Sequence, residues 1–203
     1  MRKTLIILSA ILLILASVNF AYCSYAYSFP YKVFNTTTIS YYQLDKNYTT
    51  FEAKFLCQLT IASGKKALIK ITDAKEGVVR SIDLAFFDSG IVDVNYDDGI
   101  SGGVKITSLN WNTTIVIQYD GKKLYVGDGK SVLATLLISG FTARYLAVTG
   151  EIEACSNGFL NVEVNDYYSV TNIFESLMPA IILALSLGLI FGALTKVMRK
   201  VKL

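Results

Sequence analysis

The chain has 203 residues, 53% of them hydrophobic, and a formal net charge of +3. That charge is an end effect: Arg2, Lys3, Lys196, Arg199, Lys200 and Lys202 are six of the nineteen bases, and the thirteen between them are outnumbered by sixteen acids. A nucleic-acid groove and a basic membrane-surface patch need clustered positive charge and are excluded, and the absence of histidine argues against zinc sites and hydrolase triads.

Residues 1–26 read as a secretory leader. Arg2 and Lys3 precede an apolar core from Leu5 to Val18, the length of a signal h-region and short for a spanning helix. Small residues then suit cleavage after Cys23 or after Ala26, and an uncleaved anchor reaching Phe20 is the competing reading. Either way the following segment lies outside, in an oxidising setting where Cys57 and Cys155 remain as a pair. A disulfide between them is expected, which in the chain-entropy model stabilises by up to about 4–5 kcal/mol. It requires a bulge or strand end, because Cys57 is in phase with Phe55 and Leu59 whereas Cys155 is in phase with Glu151 and Glu153.

Residues 27–170 form the predicted ectodomain, and from Phe29 onward the pattern is β. The clearest strand is 51–61, where Phe51, Ala53, Phe55, Cys57, Leu59 and Ile61 alternate with polar residues. Further strands are predicted over 66–72, 78–87, 90–96, 104–109, 114–119, 123–126, 131–138, 141–149, 150–155 and 159–164. Turns at Gly64, Asp97-Asp98-Gly99, Asp120-Gly121, Gly127-Asp128-Gly129 and Asn157-Gly158 separate many of them. Many short strands with no helical pattern predict an all-β, two-sheet antiparallel sandwich.

The run from Trp111 through Ile115-Val116-Ile117-Gln118 and Tyr119-Asp120-Gly121 to Leu124-Tyr125-Val126 resembles concanavalin A-like and laminin-G-like jelly rolls. Phe51–Ile61, Ala67–Thr72 and Ser81–Phe87 resemble successive strands of that fold, and Phe159–Tyr168 resembles its closing strand. The resemblance implies a curved sheet face of a kind that often binds glycans or proteins, but fold alone does not assign a ligand.

Residues 171–176 read as a linker, 177–195 as a transmembrane helix and 196–203 as a basic cytoplasmic tail. The uncharged run Leu177–Leu194 spans about 27 Å as a helix, close to a bilayer's hydrocarbon core. Ser176 can cap it, Pro179 falls in its first turn, and the basic tail places that end in the cytoplasm. Ala180, Ala184, Gly188 and Gly192 recur every fourth residue, a ridge that suits self-association into a homo-oligomer in lipid.

Three sequons, at Asn35, Asn47 and Asn112, are candidate glycosylation sites. Among thirteen tyrosines, Tyr41, Tyr42, Tyr96, Tyr119 and Tyr125 are the candidates for a glycan-stacking face, against the alternative that tyrosine is simply a good strand former. Asp93, Asn95, Asp97 and Asp98 fail the spacing of a calcium loop, and Asp97-Asp98-Gly99 is better read as a hairpin turn. Glu151 and Glu153 share a predicted strand face; jelly-roll glucanases carry a longer catalytic run of acids on one strand, and here the third position is Cys155. Asp83 with Lys70 reads as part of a solvated face. No cofactor, metal or catalytic residue is implied.

The chain is therefore read as a membrane-anchored surface module, not an enzyme, that binds a glycan or another surface protein through one sandwich face. Richness in tyrosine, isoleucine and sequons without histidine resembles surface proteins of thermophilic archaea and their viruses. A coat or envelope protein with apolar flanks is the alternative. A glycoside hydrolase, needing two carboxylates about 5–10 Å apart, is the distant one.

Overall fold

The computed structural model describes residues 25–167 and seven helical positions between 178 and 192. The leader up to residue 24 and the linker, anchor and tail, apart from those seven positions, lie outside the described residues, as do Ala180 and Ala184 of the proposed ridge. Gly188 and Gly192 are helical and exposed, with open space where a side chain would stand. Among the described residues no helix is long and apolar enough to cross a membrane.

Among the described residues, fourteen strands account for the fold. The first seven are β1 (Tyr25–Pro30), β2 (Ser40–Tyr48), β3 (Phe51–Cys57), β4 (Thr60–Ile61), β5 (Lys66–Thr72), β6 (Ser81–Phe87) and β7 (Ile91–Asp97). The rest are β8 (Gly103–Asn110), β9 (Ile115–Tyr119), β10 (Lys123–Gly127), β11 (Val132–Leu137), β12 (Ala143–Gly150), β13 (Cys155–Asn157) and β14 (Phe159–Asn165). Sheet I has the order β1-β14-β3-β9-β10-β11 and sheet II the order β2-β12-β5-β6-β7-β8; β4 and β13 make a third, two-stranded sheet. All the strand pairs are antiparallel.

Alternation decides which face each residue joins. Phe51, Ala53 and Phe55 of β3, Ile115, Ile117 and Tyr119 of β9, and Leu160, Val162 and Val164 of β14 turn inward from sheet I. Ala67, Ile69 and Ile71 of β5, Ile82, Leu84 and Phe86 of β6, and Val92 and Val94 of β7 meet them from sheet II. Full burial of each large apolar side chain contributes about 1.5–3 kcal/mol relative to exposure. The rings of Phe51, Tyr119 and Phe141 pack together at tilted and edge-on angles, and Trp111 closes the core near Phe86, donating Nε1–H to the Phe87 carbonyl at 3.0 Å.

Three sequence expectations are corrected. The strand predicted over 51–61 breaks after Cys57: β3 continues in sheet I against β14, while Thr60 and Ile61 leave to pair with β13. Residues 151–154 are a turn, not the strand predicted over 150–155; Ala154 N–H donates to the Glu151 carbonyl, and Glu153 is the one non-glycine among the described residues with positive φ, at 57°. That left-handed residue resets the phase, so Cys155 is buried although its sequence parity is that of two glutamates. Finally, Cys57 and Cys155 are both buried as free thiols. They end and begin strands of different sheets, and burial pushes their pKa values up to about 12 and about 11 respectively, away from the reactive thiolate.

Where β12 meets the 3-10 turn Tyr31–Phe34 the backbones touch. Gly150 donates its N–H to the Thr36 carbonyl, and a Cβ there would lie 1.8 Å from the Phe34 carbonyl oxygen. Asn35 clamps the same seam, donating from Nδ2 to the Cys155 carbonyl at 2.7 Å and accepting from Cys155 N–H at 2.6 Å.

Candidate functional site

The outward residues of sheet II, polar apart from Leu68, Ala85 and Ala147, lie in cross-strand register, one row crossing all six strands. One row runs Tyr41 (β2), Ala147 (β12), Lys70 (β5), Asp83 (β6), Asn95 (β7), Lys105 (β8). A second runs Gln43, Tyr145, Thr72, Ser81, Asp97, and a third holds Leu68, Ala85, Asp93 and Ser108. The side chains are held in place. Lys70 Nζ donates to Asp83 Oδ2 at 2.6 Å, with only 23% and 15% of the two side chains exposed. Asp93 accepts from Ser108 Oγ at 2.7 Å and from Lys105 Nζ at 2.9 Å. Burial alone would raise the Asp93 pKa, but these donors outweigh it and hold the carboxyl below its ordinary range. Tyr145 and Tyr41 meet edge to face at 6.4 Å, and Lys75 lies over the Tyr145 ring at 4.7 Å.

On β7 the residues Asp93, Asn95 and Asp97 alternate outward while Val92 and Val94 turn in. Asp83 pairs with Asn95, so it stands diagonally to both Asp93 and Asp97. Diagonal neighbours on one sheet face are roughly 7–8 Å apart. Three carboxylates and two lysines thus share one face. Among the described residues no group of acids, cysteines or histidines is placed to hold a metal.

Sheet I carries a different feature on its own outer face, an open cleft of about 620 Å³. Its floor is the row Glu52 (β3), Gln118 (β9), Tyr125 (β10), and its far wall is the turn 128–131 between β10 and β11. Glu52 accepts from Gln118 Nε2 at 2.6 Å and from Lys54 Nζ at 2.9 Å, and the Glu52 hydrogen bond raises the Lys54 pKa. Tyr125 donates its hydroxyl to Asp120 Oδ2 at 2.9 Å.

The five candidate tyrosines do not share a face. Tyr41 is outward on sheet II and Tyr125 outward on sheet I, whereas Tyr119 is fully buried and Tyr42 and Tyr96 pack edge-on against Phe29 and Phe141. Glu151 and Glu153 sit on a turn and form no strand-borne pair, with Glu151 3.9 Å from Lys65. Asp98 is a turn residue, as expected: a hydrogen bond from the Ser101 hydroxyl and backbone donors at Ile100 and Ser101 hold its pKa at about 2. Of the sequons, Asn47 and Asn112 are exposed, while both side-chain ends of Asn35 are spent on Cys155. The Lys70–Asp83 pair, read from sequence as solvated, is the most enclosed ion pair on either outer face. The signal for this face is present in sequence as the polar residues 93, 95 and 97 alternating with Val92, Val94 and Tyr96, a strand pattern and not a calcium-loop spacing.

No family model matches the chain, and no curated protein matches it. Solved structures do. A transglycosylase in complex with NAG aligns at 10% identity over 70% of this chain and 73% of that one, with a TM-score of 0.47. A beta-glucanase from Bacillus licheniformis aligns at 10% identity over 71% and 98%, TM-score 0.44. Sheep galectin-11 in complex with glycerol aligns at 13% identity over 64% and 97%, TM-score 0.40. The chain's own architecture is an all-β antiparallel sandwich, and the likeness is one of fold alone. It also overturns the expectation that the chain is not an enzyme, because hydrolytic and transfer enzymes stand among these likenesses. At such low identity they assign no activity.

Proposed function

We propose that the chain presents, at a membrane surface, a jelly-roll module that recognises carbohydrate on the outer face of sheet II. The observation that carries this reading is the row Lys70, Asp83, Asn95, Lys105, with Tyr41 at its far end. Sugar hydroxyls donate and accept, and this row offers one carboxylate acceptor, two ammonium donors and an amide that does both. Its ion pairs hold the side chains before a ligand arrives, which lowers the entropy lost on binding. The anchor at 177–195 and its ridge would gather copies, so that weak contacts add up.

The test is a glycan-array screen of the full chain in detergent, comparing wild type with Asn95→Ala. Retention of one oligosaccharide class by wild type and its loss in the variant supports the reading. No retained glycan, or equal retention by both proteins, contradicts it.

Turnover is a second reading, favoured by the diagonal placement of Asp83 against Asp93 and Asp97. The register puts these carboxylates on one face with a backbone spacing of roughly 7–8 Å, and a two-carboxylate glycosidase needs such a pair on one face. Release of reducing ends from the retained glycan by wild type, abolished in Asp83→Asn while binding persists, is its signature. The coat-protein alternative rests elsewhere, on Val132, Leu133 and Leu137 exposed along the uncharged edge strand β11. It requires self-association that Leu137→Lys removes, measured by sedimentation of the full chain.

A further inference from the structure

The sheet I cleft and the Asn112 sequon are parts of one feature. Asn112 is exposed in the connection between β8 and β9, and the two residues that complete its sequon, Thr113 and Thr114, form part of the cleft wall. That connection has a fixed shape: Asn112 N–H donates to Asn110 Oδ1 at 2.9 Å, and Thr113 Oγ1 donates to the Asn110 carbonyl at 3.1 Å. Gly129 lines the cleft beside it, at ordinary contact distance: a Cβ there would be 3.7 Å from the Thr114 carbonyl oxygen. The attachment point therefore sits next to the cleft on a connection of fixed shape.

We propose that Asn112 is N-glycosylated and that the first sugars of this glycan lie in the sheet I cleft, covering it. The donor is an oligosaccharide linked to a polyprenyl diphosphate. The Asn112 amide nitrogen attacks the anomeric carbon, the C–N bond forms as the C–O bond to the diphosphate breaks, the lipid diphosphate leaves, and the amide proton passes to a base of the transferase.

The cleft suits that occupant. It is open to solvent, and its polar groups are a held carboxylate at Glu52, the amide of Gln118, the ring of Tyr125, and Asp128 and Lys130. A mixture of donors and acceptors around one aromatic ring fits a ring of hydroxyls, and the covalent tether supplies the local concentration that an open site lacks. Asn35 cannot act in this way, because its amide is engaged by the Cys155 backbone. Exposed Asn47 lies on β2 of the other sheet.

The test uses the full chain expressed in a host whose secretion route glycosylates, in parallel with Asn112→Gln. Site-resolved mass spectrometry reads occupancy, and lysine acylation rates read cover. Occupied Asn112 with Lys54 and Lys130 labelled several-fold more slowly than in Asn112→Gln, while Lys105 on sheet II reacts equally in both, supports the proposal. Thr114→Ser, which preserves the sequon, should retain the protection. An unmodified Asn112, or a modified one with unchanged Lys54 and Lys130 rates, overturns it. Binding on sheet II is read out separately, so either reading can fail without the other.

Discussion

The two outer faces of the sandwich hold their charges in different ways. On sheet II the Lys70–Asp83 pair lies crosswise between adjacent strands with 23% and 15% of its side chains exposed. On sheet I the Lys54–Glu52 pair lies along one strand with 43% and 21% exposed, beside an open cleft. Enclosure strengthens the attraction within a pair and raises the cost of breaking it. On sheet II it is confined to the centre: the Lys105–Asp93 pair near the edge, at 54% and 24%, is as open as the sheet I pair. The lesson is that an outward-facing position is not automatically a solvated one.

The largest expected effect strikes both faces together. Asn35→Ala removes two hydrogen bonds from the buried Cys155 backbone and should cost about 2–4 kcal/mol of stability, read as a shifted urea midpoint. If it instead altered only one face, the shared scaffold would be misplaced. Next, Asp83→Ala strands the Lys70 ammonium and should cost about 1–3 kcal/mol, whereas Glu52→Ala, releasing a more exposed lysine, should cost about 1 kcal/mol or less. Equal costs by the same measurement would erase the contrast. Tyr41→Ala should weaken glycan affinity by about three- to tenfold, the scale of an aromatic contact of about 0.5–1.5 kcal/mol, and Tyr125→Ala should leave it unchanged.

The smallest effect concerns pH. The folded pKa of Asp93 is depressed below the unfolded value of about 3.9, so the stability it contributes is present above that value and is lost as pH falls through the folded pKa. The urea midpoint of wild type should therefore fall between about pH 5 and 3 more than that of Asp93→Asn. Parallel curves for the two proteins would remove Asp93 from the account.

Much of the fold was legible because alternation and turn chemistry agree. Lys66–Thr72 has the predicted bounds, and the Asp97-Asp98-Gly99 and Asp120-Gly121 turns stand where glycine and aspartate require them, with Asp120 accepting from the Lys122 and Lys123 amides. Illegible were the places where tertiary pairing overrides local pattern. Cys57 to Ile61 keeps its alternation through a change of sheet, and a left-handed Glu153 has no local signature. The candidate site failed for a related reason. Its chemistry lies in cross-strand neighbours such as Lys70, Asp83 and Asn95, separated in sequence and joined only by register, whereas Glu151 and Glu153 share a face only on a strand, and residues 151–154 form a turn. Sequence parity marked which tyrosines alternate but not which parity is inward, so Tyr119 and Tyr41 looked alike.

The most direct test of sheet II as the recognition face is isothermal titration of the oligosaccharide retained most strongly on the array against the full chain. Asn95→Ala and Gln118→Ala are compared, since each truncates one amide in the middle of one outer face. The account predicts at least about tenfold weaker binding for Asn95→Ala, on the order of 1.4 kcal/mol, with Gln118→Ala within about twofold of wild type. Weakening by Gln118→Ala with Asn95→Ala unaffected would place recognition in the sheet I cleft and contradict the account.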